Sequence, residues 1–428
     1  MPKIAFHTLG CKLNFAESSD LLRRFVNEGY EEASFHQKAD VYVINTCTVT
    51  SIAEKKCRNA VRQAHNLNPN ALIAVIGCFA QVNAKEISKI EGVNIILGND
   101  NKHLLIDKVK QWSRVEELQN FVKDISRLHT FYSSISFSDR TRGFLKVQDG
   151  CDYFCTYCEI PFARGRSRSC TISQAVKDAQ ILVQENKKEV VLTGVNIGDF
   201  GKGTDENFLA LIKELDKIEE IKRYRISSIE PDLLTKEIID FCADSRAFMP
   251  HFHIPLQAGS DKVLKMMKRN YDTQHFRDKV LYIKEKMPNS FIACDCLTGF
   301  NGETEEEFEK AIEFIKSLPL AFIHVFTYSE RPDAHALKLP ERVPIVERRK
   351  RSVILQNLAE EKKREFYKQN IGLETTVLWE ESQKDGYMYG FTDNYIRVKT
   401  KFNSQKTNTI ERIVLNNLQE DMECFIKE

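Results

Sequence analysis

Three cysteines fall on one short stretch, Cys151-x3-Cys155-x2-Cys158, within CDYFCTYC. Three thiolates on one loop suit three irons of a four-iron cube, whose complete set is normally four cysteines. The missing ligand leaves one iron open to a small molecule, as an open position does in a catalytic zinc site. The alternatives are a zinc site or unrelated core cysteines, although zinc motifs rarely use this spacing.

A second trio is scattered in sequence. Cys11 stands in TLGCKLN, Cys47 in NTCTV and Cys78 in GCFAQ. Each follows a short apolar run that reads as a strand. In an open parallel sheet, ligands bind in the crevice outside the carboxyl ends of the strands, so these three would converge. Gly10 and Gly77 beside them allow close backbone approach to a bulky group. The bland alternative for each is a small buried hydrophobe. Cys57, Cys170, Cys242, Cys294, Cys296 and Cys424 lack this placement and read as structural; Cys294 and Cys296 share one strand face, with Asp295 on the other.

The elements that must position these residues form three blocks. Residues 1–110 alternate strands (4–8, 41–45, 72–77, 93–97) with helical patterns (17–28, 52–64, 82–90), which implies an open parallel sheet covered on both faces. Residues 111–142 read as a connection. Residues 143–370 contain six further β/α units, with strands near 144–148, 189–193, 223–227, 251–256, 291–297 and 322–326, and end in a charged helical stretch. Six units fit a partial (β/α)6 barrel. The run Arg348-Arg349-Lys350-Arg351 reads as a solvated helix face. Residues 371–428 hold five short strand-like runs and suggest a small antiparallel β-barrel. The fold class is α/β with this terminal addition.

The chain has 428 residues, enough for several domains. Its 62 Lys and Arg nearly balance 61 Asp and Glu, so any nucleic-acid binding must come from local patches. No signal-peptide pattern opens the chain, and no run approaches the roughly 18 apolar residues of a membrane span. The cytoplasm is the expected compartment, with no membrane partner. Cysteines there are bound to metal, buried or reactive rather than bridged.

With both trios on the page, the chain resembles the radical S-adenosylmethionine methylthiotransferases, and most of all their MtaB-type tRNA branch. The resemblance runs along essentially the whole chain. It rests on TLGCKLN, NTCTVTSIAEK (45–55), GCFAQ, CDYFCTYCEIPFARGRSRS (151–169), SSIEP (227–231), HIPLQAGSDKVLKMMKRN (253–270) and FTYSER (326–331). There are two departures: Asn301 stands where the family usually has Pro, and Cys170 where Arg often follows.

The resemblance implies two [4Fe-4S] clusters. Cys151, Cys155 and Cys158 would hold the radical cluster, with S-adenosylmethionine on its open iron. Cys11, Cys47 and Cys78 would hold an auxiliary cluster that presents sulfur. Tyr157, in the aromatic place of the radical motif, would pack on the adenine or shield the cluster. The implied reaction is methylthiolation at C2 of N6-threonylcarbamoyladenosine beside the anticodon, at position 37 of tRNA. An electron donor and a sulfur source, neither identified by the sequence, would be partners. The implied domains are an auxiliary-cluster domain, a radical core and a TRAM RNA-binding domain.

The residues themselves add some support for RNA. Strand alternation puts Tyr395, Arg397, Lys399 and Lys401 on one face, which suits phosphate contact and stacking. Residues 371–428 as a whole carry seven Lys and Arg against ten Asp and Glu, so the footprint is the face, not the domain; a solvated strand face is the alternative. Arg164, Arg166 and Arg168 follow the radical loop and could grip phosphates, or form a surface loop with acidic partners. Methylthiolation of another adenosine or of a ribosomal protein, and a non-catalytic metal-stabilised RNA-binding protein, are the competing functions.

Overall fold

The structure, a computed structural model, describes residues 1–48, 51–112, 117–136, 141–331 and 334–427. Val49 and Thr50 of NTCTVTSIAEK, and residues 113–116 and 137–140 of the expected connection, lie outside them.

The amino-terminal sheet has six parallel strands in the order Glu31–Glu32, Lys3–Thr8, Val41–Thr46, Leu72–Gly77, Ile95–Leu97, Gln119–Asn120. Every residue of Val41–Thr46 and Leu72–Gly77 is buried, as in a parallel sheet covered on both faces. Successive residues feed two separate cores: Tyr42, Ile44, Ile73 and Val75 on one side, Val41, Val43, Leu72 and Ala74 on the other. The two edge strands beyond the expected four are two residues long, too short for a periodic signal. One of them, Gln119–Asn120, ties the start of the expected connection to this sheet. The expected helix over 82–90 is two short helices, Cys78–Val82 and Ala84–Ile87, interrupted at Asn83.

The central block has its six expected strands at Arg142–Lys146, Glu189–Thr193, Arg223–Ile226, His251–His253, Phe291–Thr298 and Phe322–Thr327. They form two three-stranded parallel sheets, which curl into a half-barrel with an isolated bridge, Tyr224 to Phe248, beside the junction. Alternation sorts each strand. Leu145, Val190, Leu192, Tyr224, Phe252, Ile292, Cys294, Cys296 and Ile323 face the helices and build one large core. The opposite face, turned into the half-barrel, carries Arg142, Lys146, Glu189, Arg225, His253, Asp295 and His324. Its edge strand is exposed at His324, Phe326 and Thr327, so the lumen is open.

A 25-residue helix, Ile345–Gln369, leads to the last sheet. Its basic run is not a solvated face. Arg348 and Arg351 are buried and paired with Glu330, and with Glu303 and Glu305; only Arg349 and Lys350 are exposed. The sheet order is Ile410–Val414, Glu374–Lys384, Tyr387–Thr392, Arg397–Lys401, Phe425–Ile426, Asn417–Leu418. Its pairs are antiparallel except Val398 with Phe425, which is parallel. It docks on the starts of the central strands. Arg223 donates to the carbonyls of Thr376 and Phe391, and Arg225 to those of Thr392 and Asp393. Among the described residues no helix is long and apolar enough to cross a membrane.

Candidate active site

The loop bearing Cys151, Cys155 and Cys158 leaves the end of strand Arg142–Lys146 and returns at Arg168–Ser169. Those two residues pair antiparallel with Gln148–Asp149 and pin the loop at its base. Gly150 has φ 73°, and a Cβ there would stand 2.0 Å from the Arg166 carbonyl oxygen, so only glycine fits. The Cys151 N–H donates to the Gly165 carbonyl at 3.1 Å.

Each of the three sulfurs receives one N–H donor. Tyr153 N–H reaches Cys151 Sγ at 3.5 Å, Ile160 N–H reaches Cys158 Sγ at 3.4 Å, and Arg269 Nη1 reaches Cys155 Sγ at 3.1 Å. Such donors stabilise thiolate charge and tune a cluster's potential. Burial pushes the Cys151 thiol up to about 12 and raises Cys155 and Cys158 as well. As ligands they must be deprotonated, so iron and these donors have to offset the burial. Arg269 is itself paired with Glu230, and its Nε donates to Tyr271 Oη at 3.1 Å. Tyr157 meets Phe300 edge-on at 6.1 Å and lines a cavity beside Cys158.

Cys11, Cys47 and Cys78 all sit just beyond carboxyl ends of neighbouring strands in the first sheet. Cys11 is exposed and precedes the helix Lys12–Asn27; Cys47 and Cys78 are buried. Gly10 and Gly77 both have φ +100°. A Cβ on Gly10 would stand 2.7 Å from Cys47 Cβ, so the Cys11 and Cys47 loops are in contact. Polar side chains tie the three strand ends together. Asn14 donates to the Leu9 and Thr46 carbonyls at 2.8 and 2.9 Å, Asn45 to the Asn14 carbonyl at 3.0 Å, and Thr46 to the Ile76 carbonyl at 2.6 Å. Among the described residues no three His, Cys, Asp or Glu side chains stand as a site for a single metal ion. A cube that gives each thiolate its own iron asks for wider spacing, and both trios supply the three-thiolate donor set that fits it.

A Gly77→Ala variant tests this cradle. Its Cβ would meet Asn45 Oδ1 at 2.5 Å and the Thr46 carbonyl oxygen at 2.7 Å, at a φ that side chains avoid. We expect a loss of about 1–3 kcal/mol in stability and a selective loss of iron from the auxiliary site, read by iron analysis against the unaltered protein.

The segments that carry the two trios are tied together beside the cysteines. Asn99 Nδ2 approaches Cys78 Sγ at 3.5 Å and donates to the Ala163 carbonyl at 2.6 Å. Thr48 Oγ1, next to Cys47, donates to Glu159, next to Cys158, at 2.7 Å. Arg331 pairs with Glu54 across the same gap. Beside Cys158 lies a cavity of about 230 Å³ lined by Thr48 of the first domain and by Tyr157, Gln257, Asp295 and Arg331 among others.

The expected arginine grip on RNA is corrected for two of its three members. Arg164 is 1% exposed; it pairs with Glu17 at 3.1 Å and Asp149 at 2.9 Å and donates to Asn14. Arg168 is buried on Asp149 and on the carbonyls of Thr130, Arg164 and Arg166. Their donors are spent inside the protein, locking the radical loop to the helix Lys12–Asn27. Arg166 alone is exposed, beside Asp152 and over the Phe154 ring. Tyr395 is corrected too. It lies before the strand, in a turn with φ 66°, and its ring stacks on Phe391 and packs against His251 and Phe291, with its Oη on Arg142. Arg397, Lys399 and Lys401 do share a face. It continues onto the neighbouring strand as Tyr387 and Tyr389, with Arg397 4.1 Å from the Tyr389 ring centroid and Lys399 4.9 Å from that of Tyr387.

Sequence reading assigned no role to Arg269, Asn14, Asn45 or Asn99. The first three lie within the quoted motifs, which was the available signal; Asn99 gave none. The two departures prove local: Asn301 is buried and donates to the Ala336 carbonyl at 2.9 Å, and Cys170 packs in the central core. The other five cysteines outside the trios are buried as expected.

Residues 3–98 match the family described as "Uncharacterized protein family UPF0004", and residues 145–315 the radical SAM superfamily. The chain is 38% identical over 399 residues to the threonylcarbamoyladenosine tRNA methylthiotransferase MtaB of Aquifex aeolicus, covering 93% of this chain and 96% of that one. It is 39% identical over 409 residues to the protein of the same name from Bacillus subtilis, covering 94% and 91%. In fold it is similar to the radical S-adenosylmethionine methyltransferase TsrM from Kitasatospora setae, with a TM-score of 0.57 at 12% identity, covering 76% of this chain and 75% of that one. By its sequence along nearly its full length, the chain belongs to the family of threonylcarbamoyladenosine tRNA methylthiotransferases, within the radical S-adenosylmethionine superfamily.

Proposed function

We propose that this chain converts N6-threonylcarbamoyladenosine at position 37 of tRNA to its 2-methylthio derivative. The observation that carries the reading is that the segments bearing the two cysteine trios are hydrogen-bonded to each other beside the cysteines, in a chain of this family. When bound, two [4Fe-4S] clusters and S-adenosylmethionine supply the radical and the sulfur. The protein's residues supply position. Cys151, Cys155 and Cys158 hold one cluster and Cys11, Cys47 and Cys78 the other. Arg269 fixes Cys155, Asn99 bridges Cys78 to the radical loop, and Tyr157 with Phe300 walls the cavity against water. Holding both reactive centres against one base removes the entropic cost of bringing them together during the reaction.

In this reading residues 1–110 are the auxiliary-cluster domain, 111–142 a connection, 143–370 the radical core, and 371–428 a TRAM-type module. The module grips RNA through Arg397, Lys399 and Lys401 with Tyr387 and Tyr389; Arg166 is a further candidate beside the radical loop. A tRNA substrate implies the cytoplasm. The reaction requires an electron donor and a sulfur source.

The test is mass spectrometry of digested tRNA from a deletion strain, complemented with wild type or with Cys11→Ala, Cys47→Ala, Cys78→Ala. The methylthiolated nucleoside should vanish on deletion, return with wild type and stay absent with the triple variant. The purified variant should still cleave S-adenosylmethionine. An unchanged nucleoside profile in the deletion strain would overturn the reading.

A further inference from the structure

The last central strand, Phe322–Thr327, is an edge strand, paired with Phe291–Thr298 alone among the described residues. Past its end the chain runs along the cavity beside Cys158, which Phe326, Thr327, Tyr328, Ser329 and Arg331 line. The first domain reaches the same cavity through Thr48. Arg331 joins the segments that meet there. It pairs with Glu54 on the helix Ser51–Leu67, the helix that follows Cys47. Its Nε stands 3.8 Å from Oε2 of Glu159, the residue after Cys158. That same carboxylate oxygen accepts from Oγ1 of Thr48, the residue after Cys47, at 2.7 Å. One guanidinium and one hydroxyl thus tie the chain beyond an auxiliary-trio cysteine to the chain beyond a radical-trio cysteine.

This is not a surface ion pair, whose worth would be small. The Arg331 side chain is 6% exposed, and those of Glu54 and Glu159 are 21% and 14% exposed. Two carboxylates converge on one cation, and Arg331 is the one cation among the described residues lining the cavity. Its Nε and Nη2 are buried without a hydrogen-bond partner among the described residues, so it holds Glu159 by charge rather than by a hydrogen bond. Without the guanidinium, Glu54 and Glu159 would confront each other across the domain boundary with like charge, an arrangement that partial burial makes costly. The tie is therefore a switch of sign: it draws the two domains together with Arg331 and drives them apart without it. It also stands at a different strand end from the Glu17 network, which grips the helix after Cys11. A single tie between two bodies leaves a hinge, and a second at another point removes the rotation.

We propose that Arg331 is a positioning residue which, through Glu54 and Glu159, sets the separation and mutual orientation of the two cysteine trios. The inference rests on the proposed function, in which a radical generated at one trio acts on a carbon that must also meet the sulfur held at the other. Geometry enters that reaction steeply, and a misplacement of about 1 Å can cost on the order of 100-fold. The cost falls on one product only. Cleavage of S-adenosylmethionine needs the radical trio alone, whereas methylthiolation needs both trios in register. Loss of Arg331 therefore uncouples the two.

The test uses the anaerobically reconstituted protein with an anticodon stem-loop RNA carrying N6-threonylcarbamoyladenosine, and reads the 5′-deoxyadenosine formed per methylthiolated RNA. Arg331→Gln should raise that ratio roughly 10–100-fold. Glu54→Gln should raise it less. The double variant should return toward the Glu54→Gln value, because removing Glu54 removes the repulsion that Arg331→Gln exposes. Arg331→Lys, which keeps the charge without the fork, should lie between wild type and Arg331→Gln. Amide hydrogen exchange, which needs no turnover, should quicken in Arg331→Gln over residues 41–48 and 156–164 but not over 189–193. Iron analysis verifies that each variant is loaded. An unchanged ratio in Arg331→Gln would overturn the proposal, whether both activities stay or fall together. A double variant worse than Arg331→Gln would overturn the action through Glu54. Where Arg331→Gln does not fold, Glu54→Gln decides: a wild-type ratio with wild-type exchange would overturn the proposal. Failure of wild type to methylthiolate the RNA would instead overturn the proposed function, while hydrogen exchange would still test the tie.

Discussion

Cys151→Ala is expected to abolish methylthiolation and reductive cleavage of S-adenosylmethionine together, and to lower iron from about eight to about four per chain. The physical basis is the loop itself. Its three thiols are raised by burial, and the N–H donors of Tyr153, Arg269 and Ile160 reach one sulfur each. Two remaining cysteines cannot hold the cube in place, and no other Cys, His, Asp or Glu is grouped with them as a replacement among the described residues. Cys170→Ala is the matched control. Cys170 lies only twelve residues beyond Cys158, but it packs against the central core, so its loss should cost about 1 kcal/mol of stability and leave iron and cleavage unchanged. Iron analysis, visible absorption and a cleavage assay on both variants check the prediction. Residual cleavage in Cys151→Ala at the wild-type rate would remove this loop from the chemistry.

Glu17→Ala should lower stability by about 3–5 kcal/mol. Glu17 is 6% exposed and meets Lys102, Lys146 and Arg164. The last two are shared with Asp149, which also holds Arg168. Removing Glu17 leaves Lys102 without its carboxylate and Lys146, Arg164 and Arg168 sharing Asp149. It also cuts the link between the helix Lys12–Asn27 and the radical loop, so the two cysteine trios should lose their fixed separation. Denaturant unfolding of wild type and variant at neutral pH measures the difference. A pH series tests the same network in wild type. Burial alone would raise Glu17 and Asp149, but the surrounding cations overcome it and hold both carboxyls below their usual values. Carboxyls depressed by folding stabilise the native state above their unfolded pKa, near 4, and that stabilisation is lost as pH falls below it. The Glu17→Ala variant should therefore show a shallower loss of stability between about pH 5 and pH 3 than wild type.

Much of the architecture was legible because it is written locally. The six central strands fall where their apolar alternation puts them, and Cys294 and Cys296 share the core face while Asp295 turns inward, as a period of two requires. The trio at Cys11, Cys47 and Cys78 was legible for the same reason: strands with every residue buried announce a parallel sheet, and its carboxyl edge is a fixed place. Features that depend on pairing between distant segments were not. The two-residue strands Glu31–Glu32 and Gln119–Asn120 exist only because a neighbouring strand is present.

Charge gave the clearest division. The sequence by itself determined the cysteine spacing, the β/α order, and that Arg164, Arg166, Arg168 and Tyr395 stand among basic or aromatic neighbours. It could not say which of those side chains face water. A guanidinium reads the same in sequence whether it meets a phosphate or Glu17, 147 residues away. Only the tertiary structure decided that Arg164 and Arg168 lock two segments together, and that Tyr395 packs between sheets. The reason is that burial and charge pairing belong to surfaces assembled from the whole chain, whereas periodicity and spacing belong to the chain itself.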